Sequence, residues 1–229
     1  MKASDLSVGI VIPVRNGART LAAAIESVSH QNPPPSDIVV VDGGSEDGSA
    51  AFARTFASVR VIAQEGRGLG AARNQGIRAV AGEIIAFCDA DDCWTAGALA
   101  ARLEHLAAEP SCGAVIGQLR RTLVASDKAT PQQASRLGRV EAAYTPGGLM
   151  VRRSCFETVG PFDETLTVGA DSDWFVRLVQ SAVRLDVLDE TVLLKGVRHT
   201  SLSTDVATYR RELLQVARRY IDRRRRGAP

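Results

Sequence analysis

Four apolar, β-branched runs, "SVGIVIPV" (7–14), "DIVVVD" (37–42), "VRVIAQ" (59–64) and "EIIAFCD" (83–89), lack the alternation that a half-solvated strand shows. They read as central parallel strands. The segments between them have helical spacing: Leu21, Ile25 and Val28 fall at i, i+4 and i+7, and "SAAFARTFA" and "AARNQGIRAVA" follow the second and third runs. Strand and helix in alternation imply βαβ units with right-handed crossovers, so residues 1–110 read as a doubly wound half. In such a sheet ligands sit at the carboxyl ends of the strands.

The later chain is less regular. "TAGALAARLEHLAAE" (95–109) predicts a helix with Leu99, Leu103 and Leu106 on one stripe, Thr95 as its cap and Pro110 as its stop. "GAVIGQLRRTLV" predicts a long strand or hairpin arm, and 126–140 a polar surface loop. Two short strands, "RLDVL" and "TVLLKGV", are expected after a helix at about 171–182. A last helix starts near Asp205, with Tyr209, Leu213, Val216 and Tyr220 on one face, and runs into "RRRRGAP". The expected organisation is one domain over 1–229, with an irregular half at 111–204 and an amphipathic basic helix at 205–229.

Composition removes several classes. The 28 basic and 26 acidic residues leave a net charge of only +2, which argues against nucleic acid as a partner. Cys88, Cys93, Cys112 and Cys155 show neither a CxxC pair nor zinc spacing. With no leader-like segment, they read as reduced thiols in a cytoplasmic protein. No apolar run approaches the ~20 residues that cross a bilayer. The "RRRR" at 223–226 suggests peripheral contact with anionic headgroups at the inner face of a membrane, or simply a solvated helix end.

Each early strand ends in polar chemistry that a structural strand does not require: "PVRNG", "DGGSEDGS", "EGRGLGAARN" and "DADD". Parallel strands bring these ends to one edge, so Asp42, Arg67, Arg73, Asp89 and Asp91 are expected to converge there. Asp89 and Asp91 suit one hard divalent cation, Mg²⁺ or Mn²⁺, whose remaining positions go to phosphate and water. Asp92 reads as a helix cap. Carboxylates this close should raise at least one pKa when no ligand is present.

"VGIVIPVRNGARTLAAAIESVSHQ", "IVVVDGGSEDGS", "GLGAARNQGIRAVAGEIIAFCDADD" and "GPFDE" followed by "DSDWFVRL" resemble, in this order, the family 2 glycosyltransferases. The resemblance spans residues 7–203. It implies the GT-A fold, an α/β Rossmann-like three-layer sandwich with a mostly parallel sheet. The implied activity is metal-dependent, inverting sugar transfer from a nucleotide diphosphate donor to a hydroxyl acceptor, with UDP favoured over GDP or dTDP. By resemblance, Pro13, Val14, Arg15 and Asp42 border the nucleotide, Arg73 lies near base or diphosphate, and Asp89 and Asp91 form the DxD motif. Gly147 and Gly148 belong to the acceptor side, and His199 approaches the metal beside Arg198. The general base maps to Asp171, with Asp173 as rival and an N-cap as the bland reading of Asp171. The usual Glu before the base is Ala170 here, which keeps alive a non-catalytic nucleotide-sugar-binding protein. A dinucleotide-dependent oxidoreductase ranks low, because "PVRNGA" follows the first strand where GxGxxG should stand. Trp174 reads as core, Trp94 as a residue of the acceptor cleft, and His30 and His105 as surface residues.

Overall fold

The computed structural model describes residues 2–124, 130–197 and 206–225. Strands β1 (Val8–Val14), β2 (Asp37–Asp42), β3 (Arg60–Ala63) and β4 (Ile84–Phe87) are parallel and alternate with helices α1 (Leu21–Ser29), α2 (Ser49–Ala53) and α3 (Gly68–Ala79). β5 (Cys93–Trp94), α4 (Ala98–Ala108), β6 (Cys112–Leu123), α5 (Pro131–Ala134) and β7 (Val140–Ala142) follow. The chain continues through β8 (Leu149–Arg152), α6 (Cys155–Val159), α7 (Ala170–Gln180), β9 (Arg184–Val197) and α8 (Val206–Arg225). Among the described residues one sheet runs β3-β2-β1-β4-β8-β6-β9-β5, with β7 paired to β6. It joins both halves of the chain, because β8 enters antiparallel between β4 and β6.

The period of two in β1 divides the core into two layers. Ile10 and Ile12 pack on one side with Leu21, Ile25, Leu99 and Leu103, while Val11 packs on the other with Ile85, Phe87, Trp174 and Leu178. Side chains this deeply buried each contribute roughly 1.5–3 kcal/mol, so uninterrupted apolar strands are what a sheet covered on both faces requires. Cys88, Cys112 and Cys155 belong to these layers.

Several expectations need correction. β3 is the edge strand, with an exposed and half-buried pattern, so its run is not central. The two predicted short strands are one bulged strand, β9, whose register with β6 slips between Ile116 and Leu119. The expected loop at 126–140 holds α5 and the start of β7, apart from 125–129, which lie outside the described residues. α4 begins at Ala98 with Gly97 at its N-cap, in place of Thr95, whose hydroxyl instead donates to Thr191 O at 2.6 Å. Among the described residues, no helix is long and apolar enough to cross a membrane.

Candidate active site

The geometry of the site starts with α3. Its first two turns pack against the 160–164 turn: Asn74 Nδ2 donates to Phe162 O at 2.9 Å and to Glu164 Oε1 at 2.8 Å, and Phe162 N donates back to Asn74 Oδ1 at 2.9 Å. That lock brings the start of α7 over the carboxyl end of β4. Arg73, fully buried, reaches between them; one guanidinium nitrogen donates to Asp171 and the other to Asp89 Oδ1 at 2.8 Å. The guanidinium carbon lies 5.6 Å from the Phe162 ring centroid, a cation–π contact that helps hold it.

A second cation enters from β9. Lys195 Nζ is 2.9 Å from Asp92 Oδ2 and 3.6 Å from Asp89 Oδ2. Gly196 N donates to Asp92 Oδ1 at 2.9 Å. Asp92 therefore anchors β9; it does not cap α4, because a buried carboxylate is satisfied by the strand that crosses it. Asp89, Asp91 and Asp92 offer oxygens that all lie within 4.8 Å of one another.

The electrostatics of these acids differ with their partners. Burial alone would raise Asp89, yet Arg73 and Lys195 overcome it and hold its carboxyl below the usual range. Burial pushes Asp92 up to about 7, with Asp89 and Asp91 adding to the shift and Lys195 opposing it. Burial also raises Asp171, against the pull of Arg73. The desolvation penalty of Lys195 is outweighed by Asp92, Asp89 and Asp91, which raise it above its ordinary value. The expected rise of a pKa in the acidic cluster is thus found at Asp92.

The expected site residues divide into two groups. Asp89, Asp91, Arg73 and Asp171 come together. Asp42, Arg15 and Arg67 lie along the neighbouring rim: Asp42 ends β2 beside Val14 and accepts from Ser45 N at 3.2 Å, while Arg15 and Arg67 are exposed. Asn16 ties two rim loops, its N donating to Ser45 Oγ and its Oδ1 accepting from Glu46 N, both at 2.9 Å. Pro13 and Val14 are buried in β1. Gly147 and Gly148 are buried too, and what they approach closely is the protein itself. A Cβ on Gly147 would stand 3.3 Å from Asp92 Oδ2, and one on Gly148 would overlap Ala143. His199 and Arg198 lie outside the described residues, as do 226–229 of the basic tail.

Asp171 sits inside α7, whose N-cap is Gly169, so the N-cap reading of Asp171 does not hold. Asp173 is buried and accepts from Arg177 Nε at 2.8 Å, the salt-bridge role expected for it. Ala170 is buried against Leu166 and Val216. Trp174 is core, its Nε1 donating to Gly160 O. Trp94 is buried as well: its Nε1 donates to Gly147 O at 3.0 Å and Arg102 stacks on its ring at 4.1 Å, so the cleft assignment is corrected. His30 is exposed, whereas His105 is half-buried, hydrogen-bonded to Asp186 at 2.8 Å and close to Cys112. Sequence reasoning missed Lys195, a single cation in an apolar run, and Arg102, which supports Gly148 O from below at 3.2 Å.

Three hard carboxylates fit an oxygen-seeking divalent cation such as Mg²⁺ or Mn²⁺. A family profile described as "Glycosyl transferase family 2" matches residues 9–160. Glycosyltransferase AglE of Haloferax volcanii is 29% identical over 200 residues, covering 81% of this chain and 65% of AglE. The pre-mycofactocin glycosyltransferase of Mycobacterium tuberculosis H37Rv is 30% identical over 198 residues, covering 80% of this chain and 41% of the relative. The chain therefore spans less than two thirds of either relative's length. S. aureus TarS 1–349 in complex with UDP-GlcNAc shares the fold at a TM-score of 0.70, with 18% identity over 87% of this chain and 61% of that one. Mannosyltransferase PcManGT from Pyrobaculum calidifontis, in complex with GDP-Man and Mn²⁺, gives a TM-score of 0.70, with 23% identity over 95% of this chain and 64% of that one. The match across residues 9–160 shows that the chain belongs to glycosyl transferase family 2, and its sheet is that of the GT-A fold.

Proposed function

We propose that the protein is a metal-dependent, inverting glycosyltransferase that takes a sugar from a nucleotide diphosphate, UDP by preference, and passes it to a hydroxyl acceptor. One observation carries the reading: Arg73 links Asp171 to Asp89, so a carboxylate suited to proton transfer stands across from a carboxylate cluster suited to a metal-bound diphosphate. The solved relatives with UDP-GlcNAc or GDP-Man and Mn²⁺ support a nucleotide-sugar donor.

In this reading Asp89 and Asp91 hold the cation, with His199 as a further ligand, and Asp42, Arg15, Arg67 and the backbone at Pro13 and Val14 border the nucleotide. Gly147 and Gly148 form the floor on the acceptor side. The cation, when bound, would neutralise charge building on the departing diphosphate. Asp171 accepts the proton of the acceptor hydroxyl as that oxygen bonds to the anomeric carbon and the bond to the diphosphate oxygen breaks. Desolvation, by raising Asp171, makes it the better proton acceptor, and Arg73 fixes its orientation. Sugar transfer or donor hydrolysis by Asp91→Ala and Asp171→Asn tests this. Losses of at least 100-fold in both are expected, and undiminished turnover in both rejects the assignment.

A second reading, donor binding without turnover, draws on the engagement of Asp171 by Arg73, which leaves the base neutralised. Calorimetric binding of UDP with Mn²⁺, without product from any acceptor, would favour it. For location, the outer side of α8 exposes Arg210, Arg211, Leu214, Arg218 and Ile221, a surface that suits anionic headgroups. Co-sedimentation with phosphatidylglycerol vesicles but not phosphatidylcholine vesicles is the expected result, and equal recovery with both rejects membrane contact.

A further inference from the structure

The C-terminal helix makes three separate ties to the segment that carries Asp171. Glu212, buried on the inner side of α8, accepts from Thr167 N at 3.0 Å, Val168 N at 2.9 Å and Gly169 N at 2.7 Å. Those are the amides in front of α7, where a carboxylate also meets the positive end of the helix. Arg219, two turns further on, donates to Asp163 Oδ2 at 2.6 Å in the turn that α3 grips. Between these polar ties Val216 packs against Leu166 and Ala170. The fit is close, since a Cβ on Gly169 would stand 3.1 Å from that of Glu212.

The segment held in this way, 163–170, has no regular structure of its own before α7 begins. Its end leads directly to Asp171, whose carboxylate must meet Arg73 on another helix. An error of about 1 Å at such a position is enough to cost a large factor in rate.

We propose that Glu212 is a positioning residue for Asp171, so that α8 completes the acceptor-activating half of the site and is not an appendage to it. The proposal rests on the reading of Asp171 as base. It concerns only where that base is held, and leaves donor binding to the strand ends.

Hydrogen exchange by mass spectrometry on the full chain, wild type and Glu212→Gln, tests it. Amides at 167–173 should exchange at least tenfold faster in the variant, while those of β1, β2 and β4 keep their wild-type protection. UDP with Mn²⁺ should bind within twofold of wild type, and UDP release from UDP-sugars should fall at least tenfold in kcat with the donor KM unchanged. Gln215→Ala, at an exposed position of α8, should match wild type in each measurement. Arg219→Gln removes a different tie and gives the same exchange readout should Glu212→Gln not fold. Unchanged protection at 167–173 would overturn the proposal, as would a loss shared equally between kcat and donor affinity. Asp171→Asn, measured in parallel, separates the two claims. Full turnover in Asp171→Asn rejects the base and the proposal together, whereas lost turnover there beside an unaffected Glu212→Gln rejects the proposal alone.

Discussion

Arg73 and Asp171 stand 98 positions apart in the chain, yet they share an ion pair that also takes in Asp89. The arginine is fully buried, whereas both carboxylates keep partial access to solvent. Its charge is therefore compensated from both halves of the chain, by Asp89 in the first and by Asp171 in the second.

Arg73→Met should destabilise the protein by about 3 kcal/mol, because removing one partner of a buried pair leaves the other charges uncompensated. The residual exposure of the two carboxylates keeps the figure at the low end of that range. Arg73→Lys keeps a charge but loses the two-pronged geometry, so it should recover part of the stability and little of the turnover. Urea unfolding at pH 7 checks the first expectation. An unchanged midpoint and slope in Arg73→Met would show that the pair contributes nothing to the fold.

Asp92 makes stability depend on pH. Its carboxyl is pushed up to about 7 in the folded protein, above the ordinary 3.8 of the unfolded chain. Between those values the folded state holds a proton that the unfolded state has released, so this group's contribution is full below about pH 4 and is lost as pH rises through 7. Metal-free protein should therefore lose stability from this group between pH 4 and pH 7. Asp92→Asn should flatten that part of the profile, measured by chemical denaturation at a series of pH values in EDTA. A slope identical to wild type would rule Asp92 out as its source.

How much of this could be read in advance depended on whether the signal was local. The buried strands β1, β2 and β4 were legible because two-sided burial leaves an apolar run in the sequence itself. β3 has a similar run, but position in a sheet is a property of the assembled fold, so its place at the edge was hidden. β9 reads as two short strands because residues at its bulges interrupt the pattern. The acidic cluster is legible as a motif, whereas Asp92 reads as a cap because its partner, Lys195, is 103 positions away. Glu212 carries no local signal, being one of two acids in an arginine-rich helix, with backbone amides as its partners.

Gly76 tests the placement of α3, the helix that delivers Arg73. A Cβ at this position would stand 2.2 Å from one γ carbon of Val11, in the middle of β1, and 3.0 Å from the other. Gly76→Ala gains helix propensity, but it must push α3 off the sheet or force Val11 out of its rotamer, at about 1–3 kcal/mol. The thermal midpoint should fall, and Gly76→Ala with Val11→Ala should recover most of the loss. A single variant at least as stable as wild type would mean that α3 is not seated this closely.

Lys195 makes the last prediction, because its ammonium draws on the same carboxylates that a divalent cation would gather. At 2.9 Å from Asp92 and 3.6 Å from Asp89, it neutralises charge that the metal would otherwise meet. Lys195→Met should lower metal-free stability, since the three acids then repel one another without a counter-charge. The same change should tighten Mn²⁺ binding in the absence of nucleotide by about tenfold, or about 1.4 kcal/mol. Asp91→Asn should weaken binding in either background. Calorimetric titration with Mn²⁺ alone decides the matter, because weaker binding by Lys195→Met would mean that the lysine holds the carboxylates in place for the ion and does not compete with it.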